Sequence, residues 1–142
     1  MNRQHIHGLT IRKIILVESD RSLAKRLVSA LVAKTSAHSM HHESNHYGLI
    51  ECIVYSSQKE FFESDPAQWD LVISATHLGD CSGFDILSFV QGLRPDVPVI
   101  LTGTPDEAVT AVEAIRSGAA DYLMITGHEM STLPITVQKC LA

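Results

Sequence analysis

Five short apolar runs constrain the fold more than any other feature of this sequence. Each run is about the length of one strand, and each is followed by turn or helix-start residues. Continuous apolar runs of this length are typical of strands buried on both faces, as in a parallel sheet. The runs are Ile14–Val17, Ile50–Tyr55 (which is interrupted by Glu51), Leu71–Ile73, Val97–Leu101 and Tyr122–Ile125.

Helices are predicted between and after these runs. Leu23, Leu27 and Leu31 recur at helical spacing after the first run, and Ser19 or Asp20 can cap that helix. The later helix starts are marked by capping boxes or by a proline in the first turn, and they fall at Ser57, Ser82, Thr104 and about Thr132. Strands alternating with helices predict a doubly wound parallel sheet, with a working site beyond the carboxyl ends of its strands.

Two segments lack this periodicity. Residues 1–12 are predicted to be a flexible leader, and the Ser- and His-rich residues 35–49 a long polar loop. Residues 13–142 would then form a single domain. Histidines in the loop are spaced so that some of them could share a metal ion, although solvated loop histidines are the alternative; the metal candidates are His38, His41, His42 and His46.

Charge and composition exclude several classes of partner. The 142 residues carry sixteen acidic and eleven basic side chains, for a formal charge of -5. This balance argues against direct binding of nucleic acid or of an anionic membrane. The three cysteines form no C-x-x-C pair, and no apolar stretch is long enough for a signal peptide or a membrane span. A cytoplasmic location is therefore expected.

Four segments in order carry a resemblance to a known family. They read ILVESDRSLAKRL, DLVISATHLGDCSGFDIL, VPVILTGTPDEAV and EAIRSGAADYL. With this spacing, about residues 13–141 resemble the receiver domains of bacterial two-component response regulators. The resemblance implies a flavodoxin-like α/β fold, with a five-stranded parallel sheet in the order 2-1-3-4-5 and helices on both faces.

The resemblance also assigns a phosphorylation pocket to particular positions. In the family, an acidic pair after strand one holds Mg²⁺, and an Asp after strand three accepts a phosphoryl group. A hydroxyl after strand four and a Lys-Pro pair after strand five complete the pocket. In this chain the corresponding residues are Glu18, Ser19 with Asp20 beside it, Ala75, Thr102, Ile125 and Thr126.

These residues predict that the pocket is vestigial. Alanine at position 75 has no nucleophile, so an aspartyl phosphate cannot form there. Ser19 and Ala75 remove carboxylates that Mg²⁺ would require, and Ile125 cannot neutralise phosphoryl charge. We therefore expect no catalytic activity, no cofactor, and weak or absent Mg²⁺ binding.

The resemblance places partner docking on the fourth helix, fifth strand and fifth helix. Ala108, Ala111, Tyr122 and Met124 are the candidates for this surface. Thr102 and Tyr122 also match the family's pair that couples phosphate to an aromatic ring. The expected partner is another protein, an attached regulatory or kinase module, or a second copy in a homodimer. Whether the chain is an isolated receiver or one domain of a longer protein stays open.

Two alternatives remain at this stage. A displaced acid, Asp80, Asp85 or Asp20, could accept the phosphoryl group, although each also has a simple role as a turn or cap residue. The former pocket or the His-rich loop could instead sense a ligand or a metal ion.

Overall fold

The computed structural model describes residues 5–6, 9–41, 49–79, 81–106 and 108–141. Within these ranges the chain forms six strands, five α-helices and one short 3-10 turn at Pro66–Gln68. The strands are β1 (His5–Ile6), β2 (Leu9–Val17), β3 (Leu49–Tyr55), β4 (Leu71–Ala75), β5 (Val99–Gly103) and β6 (Asp121–Met124). The helices are α1 (Arg21–His41), α2 (Gln58–Phe62), α3 (Gly83–Leu93), α4 (Ala108–Arg116) and α5 (Glu129–Leu141).

Five of the strands form one parallel sheet in the order β3–β2–β4–β5–β6. Numbered among themselves, these strands run 2-1-3-4-5, so the predicted flavodoxin-like order is confirmed. The short strand β1 pairs antiparallel with Leu9 and Thr10 at the start of β2.

The sheet separates two apolar cores, because successive side chains of a strand point to opposite faces. One face, here called the α1–α5 core, contains Ile14, Leu16, Leu27, Ile73, Ile100, Leu133 and Val137. The other face, the α2–α4 core, contains Ile15, Val17, Phe61, Trp69, Val72, Ile86, Leu101 and Ala114. Trp69 stacks on Phe61 with their ring centroids 4.9 Å apart.

The predicted leader is wrong for residues 9–12, which belong to β2. Ile11 and Arg12 pair with Leu49 and Ile50 of β3, and the preceding residues pair with β1. These four residues alternate between apolar and polar side chains, and the sequence could not reveal that two neighbouring strands would supply their hydrogen-bond partners.

The predicted loop at residues 35–49 is also too long. Helix α1 continues through His41, and β3 begins at Leu49. No glycine or proline lies between Arg21 and His41, so nothing in the backbone chemistry stops the helix where the polar residues begin. Residues 42–48 lie outside the described residues.

Of the five predicted helix starts, three are correct and two are not. Asp20 caps α1, since its Oδ1 accepts the N–H of Leu23. Ser57 caps α2, and Ser82 forms a capping box with Asp85 at the start of α3. By contrast, α4 begins at Ala108, because Thr104 uses its hydroxyl on the carboxylate of Asp106 in a turn. Helix α5 begins at Glu129, earlier than predicted, which places Pro134 inside the helix.

Candidate functional site

The register of the sheet brings the predicted pocket positions to neighbouring strand ends. Val17 is the partner of Ser74, and Ala75 is the partner of Thr102. The N–H of Ile125 donates to the carbonyl of Gly103 at 2.8 Å, which continues the β5–β6 ladder beyond β6. Glu18, Ala75, Thr102 and Ile125 therefore lie along one edge of the sheet, as the sequence predicts.

Glu18 is buried at the end of β2, with 6% of its surface exposed. Its N–H donates to the carbonyl of Tyr55 at 3.0 Å, and its carboxylate Oε2 accepts the N–H of Asp20 at 3.0 Å. Burial raises the pKa of Glu18, although the N–H donated by Asp20 partly opposes this. Asp20 caps α1, because its Oδ1 accepts the N–H of Leu23 at 3.1 Å. Each carboxylate thus gives one of its two oxygens to a backbone N–H, and Ser19 is exposed beside them.

Ala75 is buried where β4 meets the start of α3. It packs within the α2–α4 core, and the loop that follows is drawn in tightly: the N–H of Gly83 donates to the carbonyl of Thr76 at 2.7 Å. A Cβ atom on Gly83 would lie 2.4 Å from the carbonyl oxygen of Ala75. The first turn of α3 therefore sits directly against the end of β4.

Thr102 and Tyr122 lie on the neighbouring strands β5 and β6. Thr102 is buried and in register with Leu123, whereas Tyr122 is in register with Leu101 and packs against the α2–α4 core. Tyr122 therefore stands one position before the register partner of Thr102, and coupling between the two side chains stays a prediction.

Thr76 takes part in this edge, although no role was predicted for it from the sequence. Its N–H and its hydroxyl both donate to the carbonyl of Thr102, at 2.8 and 2.6 Å. Its position directly after a buried strand was the available signal. The contact joins the end of β4 to the end of β5.

A second residue missed by the sequence analysis is Glu129, the first residue of α5. Its side chain is 1% exposed, and its Oε1 accepts the N–H groups of Thr126 at 3.2 Å and Gly127 at 2.8 Å. Its Oε2 lies 3.5 Å from the guanidinium of Arg26 on α1. Burial alone would raise the pKa of Glu129, but these donors together hold it below its ordinary value.

Helix α4 presents its larger apolar side chains outward. Val109, Val112 and Ile115 are 72%, 53% and 51% exposed, whereas Ala114 is fully buried in the α2–α4 core. Of the predicted docking residues, Met124 is exposed, and Ala111 and Tyr122 are half-buried. The side chain of Ala108 lies outside what the structure describes. The sequence identified the apolar residues of α4 from their helical spacing. It could not show which of these residues face the sheet and which face outward.

The other predicted site residues are the displaced acids and the loop histidines, and several of them lie outside the described residues. Asp85 is used in the capping box of α3, and Asp80 is among the undescribed residues. His38 and His41 lie on α1 without described side chains, and His42 and His46 are not described. Across the part of the chain that the structure covers, no group of three or more His, Cys, Asp or Glu side chains could hold a metal ion. None of the described helices is both long and apolar enough to cross a bilayer.

Comparison with curated proteins finds response regulators over part of the chain. The two-component response regulator ORR24 of Oryza sativa subsp. japonica is 46% identical over 57 residues, which is 40% of this chain and 9% of ORR24. The regulatory protein LuxO of Vibrio vulnificus is 38% identical over 72 residues, which is 51% of this chain and 16% of LuxO. The chain thus spans less than a fifth of the length of these relatives. No family model matches.

Solved receiver structures match almost the whole chain. A response regulator receiver domain from Clostridium thermocellum superposes with a TM-score of 0.71 at 20% identity, covering 92% of this chain and 94% of that one. Full-length FixJ of B. japonicum gives a TM-score of 0.73 at 18% identity, covering 92% of this chain and 57% of that one. These identities show the shared fold. Together with the locally matched response regulators, the fold supports the conclusion that this chain carries a receiver domain of the response-regulator type.

Proposed function

We propose that this receiver domain transmits a signal by protein–protein contact and without aspartyl phosphorylation. The observation that carries the proposal is the buried methyl side chain of Ala75, at the strand end where the family has its phosphoacceptor. A methyl group can neither attack a phosphoryl donor nor bind a cation. The domain would work within a two-component system in the cytoplasm, and it would catalyse no reaction of its own.

The surroundings of Ala75 support this reading. A magnesium ion needs oxygen ligands that are free to coordinate it. Glu18 and Asp20 each give one carboxylate oxygen to a backbone N–H, and Ser19 and Ala75 bring no further carboxylate to the site. Ile125, at the position of the family's lysine, packs against the α1–α5 core. The displaced acids Asp20 and Asp85 both hold helix starts, so no observation favours them as phosphoacceptors.

The exposed face of α4 supports a role in protein contact. We call Val109, Val112 and Ile115, with Met124 of β6, the α4–β6 patch; each of these side chains is more than a third exposed. Apolar side chains on the outer face of α4 do not pack in the core of the domain. Apolar patches on a domain surface commonly mark contact sites. The occupant would be a partner protein, an attached module or a second copy of the chain, rather than nucleic acid or a membrane.

Intact-mass measurement after treatment with acetyl phosphate and Mg²⁺ tests the absence of phosphorylation. The wild-type chain is expected to show no phosphoryl adduct. The matched control is the combined variant Ser19→Asp, Ala75→Asp, Ile125→Lys, whose adduct would show that the conditions are competent. A phosphoryl group mapped to Asp20, Asp80 or Asp85 of the wild type would contradict the proposal.

A further inference from the structure

The loop between β6 and α5 is closed by a carboxylate that the chain itself supplies. Glu129 Oε1 accepts two successive backbone N–H groups, from Thr126 and Gly127. Gly127 has a φ of +103°, a conformation that side-chain-bearing residues rarely adopt, so the loop bends at this glycine. Neighbouring N–H groups that converge in this way form a favourable binding place for an anion.

The same carboxylate reaches a second element. Its other oxygen lies 3.5 Å from the guanidinium of Arg26, which is about half exposed on α1 while Glu129 is fully buried. A buried carboxylate is stable only when charged or hydrogen-bonding partners replace its lost hydration. Glu129 has both kinds, and it therefore links the loop, α5 and α1 through one charged group.

The position of this group relates it to the former pocket. Thr126 stands where the family resemblance places a proline, and a proline would have no N–H to donate to Glu129. The loop follows directly from Ile125 at the pocket edge and from Met124 of the α4–β6 patch. A fixed anion thus sits at the end of the sheet, in contact with the segment that leads out of β6.

We infer that Glu129 is a permanent anionic latch, which holds the β6–α5 loop and the α1–α5 packing in one arrangement without any bound anion. The latch would keep the segment beside Met124 in a single conformation. It would act in the same way whether or not the domain forms an aspartyl phosphate, so it stands apart from the function proposed above.

Removal of the carboxylate and its replacement by a free anion test the latch. The Glu129→Ala variant leaves two N–H groups and the Arg26 guanidinium around an empty space. We expect its melting temperature to fall and to recover in part with formate or acetate, but not with chloride at equal ionic strength. Glu113→Ala, on the exposed part of α4, is the matched control and should show neither change. A melting temperature equal to that of the wild type, or equal recovery with all three anions, would overturn the latch.

Amide hydrogen exchange provides a second measurement, which still applies if Glu129→Ala does not fold. Glu129→Gln keeps the size of the side chain and one acceptor oxygen but loses the charge. The amides of Thr126 and Gly127 should exchange about tenfold faster in this variant, since charge-assisted hydrogen bonds protect them in the wild type. The methyl resonance of Met124 should shift as well. Unchanged exchange at both amides, or an unchanged Met124 resonance, would show that Glu129 does not set the conformation of this segment.

Discussion

Ile125 places a branched apolar side chain at the end of β6, half-buried against the α1–α5 core. A lysine there would be a partly buried cation at an edge where Ala75 supplies no carboxylate. We expect Ile125→Lys alone to be about 1–3 kcal/mol less stable than the wild type. The combined variant Ser19→Asp, Ala75→Asp, Ile125→Lys should be tolerated better, because the new carboxylates pair with the lysine. Thermal melting compares the two, with Ile125→Met as an uncharged control; equal melting temperatures would contradict the pairing.

Glu18 predicts a pH dependence of stability. Because burial raises its pKa above the ordinary value of 4.5, the folded chain binds this proton more tightly than the unfolded chain does. The contribution of Glu18 to stability therefore falls as the pH rises from about 4.5 through the raised pKa. The melting temperature of Glu18→Gln minus that of the wild type should be larger at pH 7 than at pH 4. The exposed Glu113→Gln is the control, and a Glu18→Gln difference that is independent of pH would refute the prediction.

The sequence could place Glu18, Ala75 and Ile125 at one edge because strand ends in a parallel sheet coincide. It could not tell that Thr102 would be in register with Leu123 rather than with Tyr122, because one residue of offset between β5 and β6 decides this. Glu129 was missed for a different reason. Its partners are backbone N–H groups and a distant arginine, and neither leaves a pattern in the chain beyond an acid near a helix start.

The two glycines of α3, Gly83 and Gly92, differ in the space available for a side chain. A Cβ atom on Gly83 would meet the Ala75 carbonyl at 2.4 Å, whereas a Cβ atom on Gly92 would meet nothing within 4 Å. Gly83→Ala should therefore separate α3 from β4 and lower stability. Gly92→Ala should raise stability by about 0.5–1 kcal/mol, because alanine favours a helix. Urea denaturation of both variants checks this, and a Gly83→Ala variant as stable as the wild type would count against the close contact.

The orientation of α4 can be checked in the same manner. Val112 is 53% exposed and Ala114 is fully buried, although both are apolar and lie two residues apart. Val112→Asp is expected to change the free energy of unfolding by about 0.5 kcal/mol or less. Ala114→Leu should overpack the α2–α4 core and cost about 1–3 kcal/mol. If Val112→Asp were the more damaging of the two, the patch would be part of the core rather than a contact surface.

Element boundaries were predictable where a cap made a local signature. Ser57 and Ser82 mark the starts of α2 and α3 in the sequence, because each is followed three residues later by an acidic residue of a capping box. The end of α1 and the start of α4 were not predictable. In α1, the polar residues remain helical because the segment contains no glycine or proline that would end the helix. Ahead of α4, the hydroxyl of Thr104 donates a hydrogen bond to the carboxylate of Asp106 and does not cap the helix.

For the whole molecule, the two cores share β2, β4 and β5 and should unfold together. Trp69 is the only tryptophan and reports on the α2–α4 core, while α1 and α5 dominate the other face. Tryptophan fluorescence and far-ultraviolet circular dichroism should give one urea midpoint. Leu133→Ala, on the face opposite Trp69, should lower both midpoints equally, at a cost of about 2–5 kcal/mol. The exposed Ile135→Ala should leave them in place; separate midpoints would show that the cores are independent.

The order of packing has a consequence for synthesis on the ribosome. Strands β2, β3 and β4 are adjacent in the sheet and emerge before β5 and β6, so they can pair while β5 and β6 are still being translated. The α1–α5 core takes Leu133 and Val137 from α5, so its apolar surface stays uncovered until α5 has been translated. During that interval the exposed apolar surface that a nascent-chain chaperone could bind consists of α1 and the sheet face of the α1–α5 core.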